Sequence, residues 1–281
     1  MDACEDRGGW AGWLSEVEKS LGAGSAAWLG RIAAGVIDRA RLRPGEAVAD
    51  LGAGTGLLTL AAARVVGRSG RVFSVDASES CLKALRESAS RAGLENIVTL
   101  AAPLEALPID PSTCDAVVCR SALAYLTGLS KAVGEISRVL AAGGRFSVFE
   151  PLLAETGFQT GGSLGEHEPE FEAMQRTLRE ARASYSLDRA MLRGAFEDAG
   201  LTDFMSLPVR FPVNMSGRGE EDILGDFLRD LPGELAASHV LKTAMDEDRM
   251  MDAARAFARA AAAGRVKGWV WCMFLWGAAP A

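Results

Sequence analysis

The residues whose types and spacing carry chemistry begin at position 50. Gly52, Gly54 and Gly56 alternate with Ala53 and Thr55, directly after a short apolar run, Ala47 to Leu51, that contains one acid, Asp50. Glycines at this spacing permit a tight turn and let a ligand lie against the backbone. Leu57 to Val66 is rich in Leu and Ala and predicts a helix, so the stretch reads as strand, glycine turn, helix, which is the crevice of a nucleotide cofactor. The dinucleotide fingerprint G-x-G-x-x-G would need glycine at 57, where Leu57 stands; glycine comes one place early, at Gly56. A second acid, Asp76, closes the run Arg71 to Asp76, twenty residues past Gly56. At the end of a second strand such an acid faces a ribose and accepts from its hydroxyls. The competing reading makes Asp76 an acid at a helix start, where Ser78 caps Glu79 to Arg91.

The elements that must position these residues follow the same alternation. Asn96 to Ala101, Asp115 to Cys119, Arg145 to Glu150, Phe204 to Val213 and Trp269 to Gly277 predict strands three to seven, and Ser130 to Leu140 and Asp188 to Ala199 predict helices. Residues 1 to 46 precede the first strand. Trp10, Trp13, Leu14 and Leu21, then Ala26, Trp28, Leu29, Ile32 and Ile37, suggest amphipathic helices, either packed on the sheet or forming a lid over the cofactor; Arg43-Pro44-Gly45 ends them in a turn.

Composition narrows the partners. The chain has 281 residues, 49% of them hydrophobic, enough for a substantial core. Thirty Lys and Arg stand against 37 Asp and Glu, a formal net charge of −7, which disfavours non-specific binding of nucleic acid. Five cysteines without a C-x-x-C pair favour free thiols in a reducing, cytoplasmic setting over disulfides, and no His and carboxylate cluster supports a metal. No signal peptide is seen, and the longest apolar run, Trp269 to Ala281, is too short to span a bilayer.

Asp50 and the glycine turn, Ala-Val-Ala-Asp-Leu-Gly-Ala-Gly-Thr-Gly, resemble motif I of the class I methyltransferases that use S-adenosylmethionine (SAM). The stretch Ala102-Pro103-Leu104-Glu105-Ala106-Leu107-Pro108 resembles the family's adenine-contact loop, with Pro103 in place of an aspartate that usually bonds the adenine amino group. Arg120 to Leu126 resembles the segment that passes beneath the methyl group. Arg138-Val139-Leu140-Ala141-Ala142-Gly143-Gly144-Arg145-Phe146 is similar to the family's R-V-L-x-P-G-G-R stretch. The resemblance implies an α/β fold: a Rossmann-like, doubly wound, seven-stranded sheet with strand seven antiparallel. It implies SAM as cofactor and S-adenosylhomocysteine (SAH) as product. Asp50 is then expected to attract the ammonium, the backbone of Gly52 to Gly56 to meet the tail carboxylate, and Asp76 with Ala77 to hold the ribose. Leu104 and Glu105 flank the adenine, and Arg120, Ser121 and Tyr125 line the methyl side.

Pro151 to Leu187 and Asn214 to Arg265 lie outside this shared core and are expected to be helical cap insertions on a single domain, emerging beside the reactive methyl. Pro151 to Pro169 reads as a loop with Gly157, Gly161, Gly162 and Gly165, mobile over 157–165 until ligands bind. Phe171, Met174, Phe227, Leu228, Met245, Met250, Met251 and Phe257 form either an adaptable pocket or an ordinary helical core. Glu150, at a strand end, and His167, in an acidic loop, are the candidates to orient or deprotonate an acceptor. Against these stand a hydrogen-bonded strand-end carboxylate and a solvated histidine; His239, in a predicted helix, reads as structural. The expected function is methyl transfer to O, N or S of a small, largely apolar molecule, with a homodimer left open. The alternatives are a non-catalytic SAM-binding regulatory protein and an NAD(P)-dependent oxidoreductase, against which Leu57 and Asp50 argue.

Overall fold

The apolar run before the glycine turn is a strand because it is enclosed: in β1 (Ala47–Leu51) every residue after Ala47 is buried. The computed structural model describes residues 23–126, 128–183, 187–213, 215–229 and 237–281. Trp10, Trp13, Leu14 and Leu21 lie outside the described residues, as does Cys4.

After α1 (Ala23–Ala40) and β1 come α2 (Leu57–Val66), β2 (Arg71–Asp76), α3 (Glu79–Arg91), β3 (Ile97–Ala101), β4 (Cys114–Arg120), α4 (Leu129–Val139) and β5 (Leu140–Gln159). Then follow α5 (Glu168–Ala183), α6 (Arg189–Asp198), β6 (Thr202–Val213), α7 (Glu220–Arg229), α8 (Ala237–Ala244), α9 (Glu247–Ala262) and β7 (Lys267–Ala278). The seven strands form one sheet in the order β3-β2-β1-β4-β5-β7-β6. β1 pairs in parallel with β2 and β4, β2 with β3, and β4 with β5. The order reverses between β1 and β4, which is the switch point where an open α/β sheet binds its ligand. Parallel strands with helices around them, and an antiparallel strand in the same sheet, make this the expected Rossmann-like, doubly wound α/β fold.

The chain divides into two compact units. One holds the described residues up to Glu150, with Arg189–Leu207 and Met273–Ala281; the other holds Pro151–Asp188 and Pro208–Cys272. In the first, Ile32, Val36, Val48, Leu51, Val117, Val118, Val148 and Phe149 are nearly or wholly buried. Phe146 packs its ring 4.6 Å from Phe196, and Phe149 lies 4.7 Å from Phe274. The Arg39 guanidinium lies 4.3 Å from the Phe274 ring centroid and 4.9 Å from that of Trp276, a cation–π contact that keeps a charge on an apolar surface.

In the second unit, four phenylalanines form the centre. Phe171 stacks on Phe257 at 4.6 Å, with Phe227 at 4.9 Å and Phe158 at 5.0 Å from the same ring. Phe171, Met174, Met250 and Phe257 have no exposed surface, so the apolar stripe is a packed helical core and not an open pocket. A cavity of about 10 Å3 among Thr156, Phe158, Gln175, Leu178, Arg182 and Phe227 is the size of one water.

β5 begins at Leu140 and runs to Gln159, so residues 151–159 are strand where a loop was predicted. Gly157 belongs to that strand: a Cβ there would meet the Trp269 ring at 2.8 Å, so its glycine serves close packing. Alternation was masked because Pro151 and Gly157 both read as breakers. Gly161, Gly162 and Gly165 do turn the chain, at φ of +59, +78 and +60°. Among the described residues no helix is long and apolar enough to cross a membrane.

Candidate functional site

The glycine turn is built by commitments made elsewhere in the sheet. The N–H groups of Gly52 and Ala53 both donate to Val75 O, at 2.9 and 3.0 Å, and Gly56 N–H donates to Ala53 O at 2.9 Å. Gly52, Gly54 and Gly56 take φ of +67, +53 and +101°, a region that side chains with a Cβ resist. Two of them have no room in addition. A Cβ on Gly52 would fall 2.3 Å from Ala122 Cβ, and one on Gly56 would fall 2.3 Å from Leu85 Cδ1.

Asp76 joins the second strand to this turn. Its Oδ2 accepts the Gly54 N–H and its Oδ1 the Ser78 N–H, both at 2.8 Å. A carboxylate has about four acceptor sites, so two remain for hydroxyl donors. Ser78 Oγ meanwhile accepts Cys81 N–H at 3.3 Å and caps α3. The helix is thus capped by Ser78, and Asp76 stands at the carboxyl end of β2.

Asp50 is 1% exposed. Thr59 Oγ1 donates to its Oδ2 at 2.5 Å and touches Ser74 Oγ at 3.0 Å; the Thr59 backbone N–H also bears on the carboxylate. Burial raises its pKa from 3.8 to about 6, against the pull of Thr59 and of the Arg120 charge. The helix α2 has Gly56 at its N-cap and no side-chain cap there. Asp50 thus supplies, from the strand below, part of the capping that Gly56 lacks. Its negative charge works on the turn from beneath, with Thr59 between strand and helix.

Glu150 has no exposed surface. Its Oε1 accepts the N–H groups of Ala122 and Leu123, both at 3.2 Å, and lies 3.6 Å from Cys119 Sγ; its Oε2 accepts the Ala124 N–H at 3.1 Å. Burial raises its pKa from 4.5 to about 7, partly offset by those N–H groups. This corrects the expectation that Glu150 meets an acceptor. Its oxygens are enclosed and taken, and it is the hydrogen-bonded strand-end carboxylate. Burial also drives the Cys119 thiol well above its ordinary pKa, with Glu150 and Asp50 adding to the effect, so it stays protonated.

Ser121 leaves β4 at φ +53° with its N–H on Phe149 O at 2.8 Å. Arg120 is half-buried at the strand end. Tyr125, in the 3-10 turn Leu123–Tyr125, is 36% exposed. Leu104 is 6% exposed. Glu105 lies against Gly128, where a Cβ would come 3.0 Å from its Cγ. Ala102 N–H donates to Asp76 O at 3.1 Å, which ties the Leu104–Glu105 loop to the end of β2. The structure therefore gathers Asp50, residues 52–56, Asp76, Ala77, the 102–105 loop and residues 120–125 within one unit, at the carboxyl ends of β1, β2, β3 and β4. His167 belongs to the other unit, half-buried in the 3-10 turn Gly165–His167 that leads into α5. His239 lies in α8.

Several supporting residues had no role in the sequence reading. Arg138 grips Glu135 at 2.6 and 2.7 Å and donates to Ile109 O at 2.8 Å and Leu107 O at 3.0 Å, while Glu135 accepts Leu107 N–H at 2.7 Å. Arg145 donates to Ala40 O at 3.0 Å and to Glu46 at 2.6 Å. The two arginines of the R-V-L stretch are thus braces, one for the 107–109 loop and one for the entry to β1. The available signal for Thr59 and Ser74 was a hydroxyl inside an apolar helix start and an apolar strand; both are fully buried.

The residues present fit SAM. A partly free carboxylate at the end of β2 suits ribose hydroxyls. The N–H groups of Gly52, Ala53, Gly54 and Gly56 all donate within the protein, which corrects the expectation that they meet the tail carboxylate; the start of α2, without a side-chain cap of its own, suits that group instead, because first-turn N–H groups lack intrahelical acceptors. Sheet order, glycine turn and strand-end acid together define a class I SAM-dependent methyltransferase. The family described as "Methyltransferase domain" matches residues 42–186, and the chain belongs to it. The ubiquinone/menaquinone biosynthesis C-methyltransferase UbiE of Hydrogenovibrio crunogenus is 32% identical over 178 residues, 58% of this chain and 70% of that protein. Its namesake from Escherichia coli is 39% identical over 115 residues, 41% of this chain and 46% of that protein, so the chain spans about half of that relative's length. Among solved structures, the YcgJ protein of Bacillus subtilis superposes with a TM-score of 0.57 at 18% identity, covering 90% of this chain and 98% of that one, which is a likeness of fold.

Proposed function

We propose that this protein transfers a methyl group from SAM to a small, largely apolar acceptor at O, N, S or, following the name of its curated relatives, C. One observation carries the reading: the Asp76 carboxylate is fastened to Gly54 N–H, so the ribose-type acid and the glycine turn form a single surface. SAM supplies an electrophilic methyl on a sulfonium; the chain's residues bind, orient and exclude water around it. In this reading Asp76 takes the ribose, the α2 start takes the tail carboxylate, and Asp50 fixes α2 from beneath while its charge favours the ammonium. Leu104 and Glu105 flank the adenine, and Arg120, Ser121 and Tyr125 border the methyl. The net charge of −7 supports a small acceptor over nucleic acid.

The core motifs specify the cofactor alone, so the identity of the acceptor is settled by turnover and not by the fold. Isothermal titration with SAM, SAH and NAD tests the cofactor: SAM and SAH bind and NAD does not. Tight NAD binding without SAM binding restores the oxidoreductase, and SAM binding with no acceptor turnover in any extract favours a regulatory protein.

A further inference from the structure

Glu150 is occupied in a way that points to the cofactor turn. The three N–H groups it accepts belong to consecutive residues, Ala122, Leu123 and Ala124. These open the 3-10 turn Leu123–Tyr125, whose N-cap, Ala122, provides no side-chain acceptor. The first N–H groups of any helical turn need acceptors from outside it, and here a carboxylate from the neighbouring strand supplies all three. The segment is held at a demanding point. Ser121, just before it, sits at φ +53°, and Ala122 Cβ occupies the space in which a Gly52 side chain would fall, at 2.3 Å. Glu150 fixes Ala122, and Ala122 is the wall against which Gly52 turns.

We infer that Glu150 is a positioning residue for the cofactor crevice: by holding Ala122 to Ala124 it sets the wall of the glycine turn and hence the affinity for SAM, without touching the ligand. The inference rests on the methyltransferase reading above. An apolar replacement would leave three N–H groups, that of Leu123 fully buried, without their carboxylate acceptor. Glutamine keeps the shape and one oxygen but aims an NH2 group at a donor.

The test compares Glu150→Gln and Ala122→Gly with wild type. For both variants the expected result is cooperative unfolding, a dissociation constant for SAH raised about tenfold by titration calorimetry, and a KM for SAM that rises more than kcat falls. In the ligand-free Glu150→Gln protein, amide exchange at 122–124 should quicken while β1 to β3 exchange as before. If Glu150→Gln does not fold, Ala122→Gly carries the test, since it keeps the carboxylate and removes only the methyl against Gly52. Wild-type SAH affinity in a folded variant overturns the inference. A wild-type protein that binds neither SAM nor SAH overturns the functional reading and this inference with it, whereas wild-type binding with unchanged affinity in both variants overturns this inference alone.

Discussion

Asp76 is held from both sides. Each of its oxygens already accepts one backbone N–H at 2.8 Å, so its orientation is fixed before any ligand arrives. Replacing it by alanine is expected to weaken SAM binding by about 2–3 kcal/mol, the loss of charge-assisted bonds to two hydroxyls. Calorimetry on the folded Asp76→Ala protein checks this, and unchanged affinity would take Asp76 out of the site. The two buried acids make a second prediction. Asp50 and Glu150 have folded pKa values near 6 and 7, above their ordinary 3.8 and 4.5, because burial disfavours the charged form. Between those limits the folded chain holds protons that the unfolded chain has released, so these groups favour folding at low pH and lose that contribution as pH rises. For Glu150 the window runs from about 4.5 to 7. Denaturant unfolding of wild type and Glu150→Gln across it should show wild type losing about 3 kcal/mol relative to the variant as pH rises. A flat difference would mean that the carboxylate stays ionised throughout. The strand position of both acids was legible in the sequence, but their enclosure was not. Whether a strand-end acid faces a ligand or the protein depends on the turn of a neighbouring strand, which no local pattern records.

At the scale of elements, the glycine turn, α2, β2 and α3 were legible because each has strong local signals: alternating glycines, a Leu and Ala run, a serine cap. β5 was not. Its nine residues past Glu150 include Pro151 and Gly157, which read as a loop, yet Trp269 of β7 packs where the Gly157 side chain would be. Long-range packing overrode local propensity there. The R-V-L-A-A-G-G-R stretch was recognised by likeness alone, and the structure shows what its first arginine does. Arg138 braces two carbonyls of the loop after Leu104 while paired with Glu135, whose pKa that pairing lowers. The Arg138→Ala protein should lose about 1–2 kcal/mol of stability, allowing for its partial exposure. Its SAM affinity should fall less than that of Asp76→Ala, since the loop is loosened and not removed. Unfolding curves and titrations on the same samples compare the two, and an Arg138→Ala protein as stable as wild type would show that the brace is redundant.

For the whole molecule, a seven-stranded sheet with its order reversing between β1 and β4 places the residues proposed for the cofactor at the carboxyl ends of neighbouring strands, and this order was inferable from the order of motifs. The second unit was not: its apolar residues fit a pocket or a core equally well in sequence, and only their burial around Phe257 makes them core. Hydrogen exchange with SAH should protect residues 52–56 and 76–78; exchange there unchanged by SAH would take the glycine turn out of the site. The central claim is methyl transfer, and the most direct measurement is mass spectrometry of a host metabolite extract incubated with the protein and methyl-labelled SAM. The expected result is one labelled small molecule that forms in step with SAH and is lost in Asp76→Ala. SAM left intact beside an unlabelled extract, in a protein that binds SAM, would contradict it.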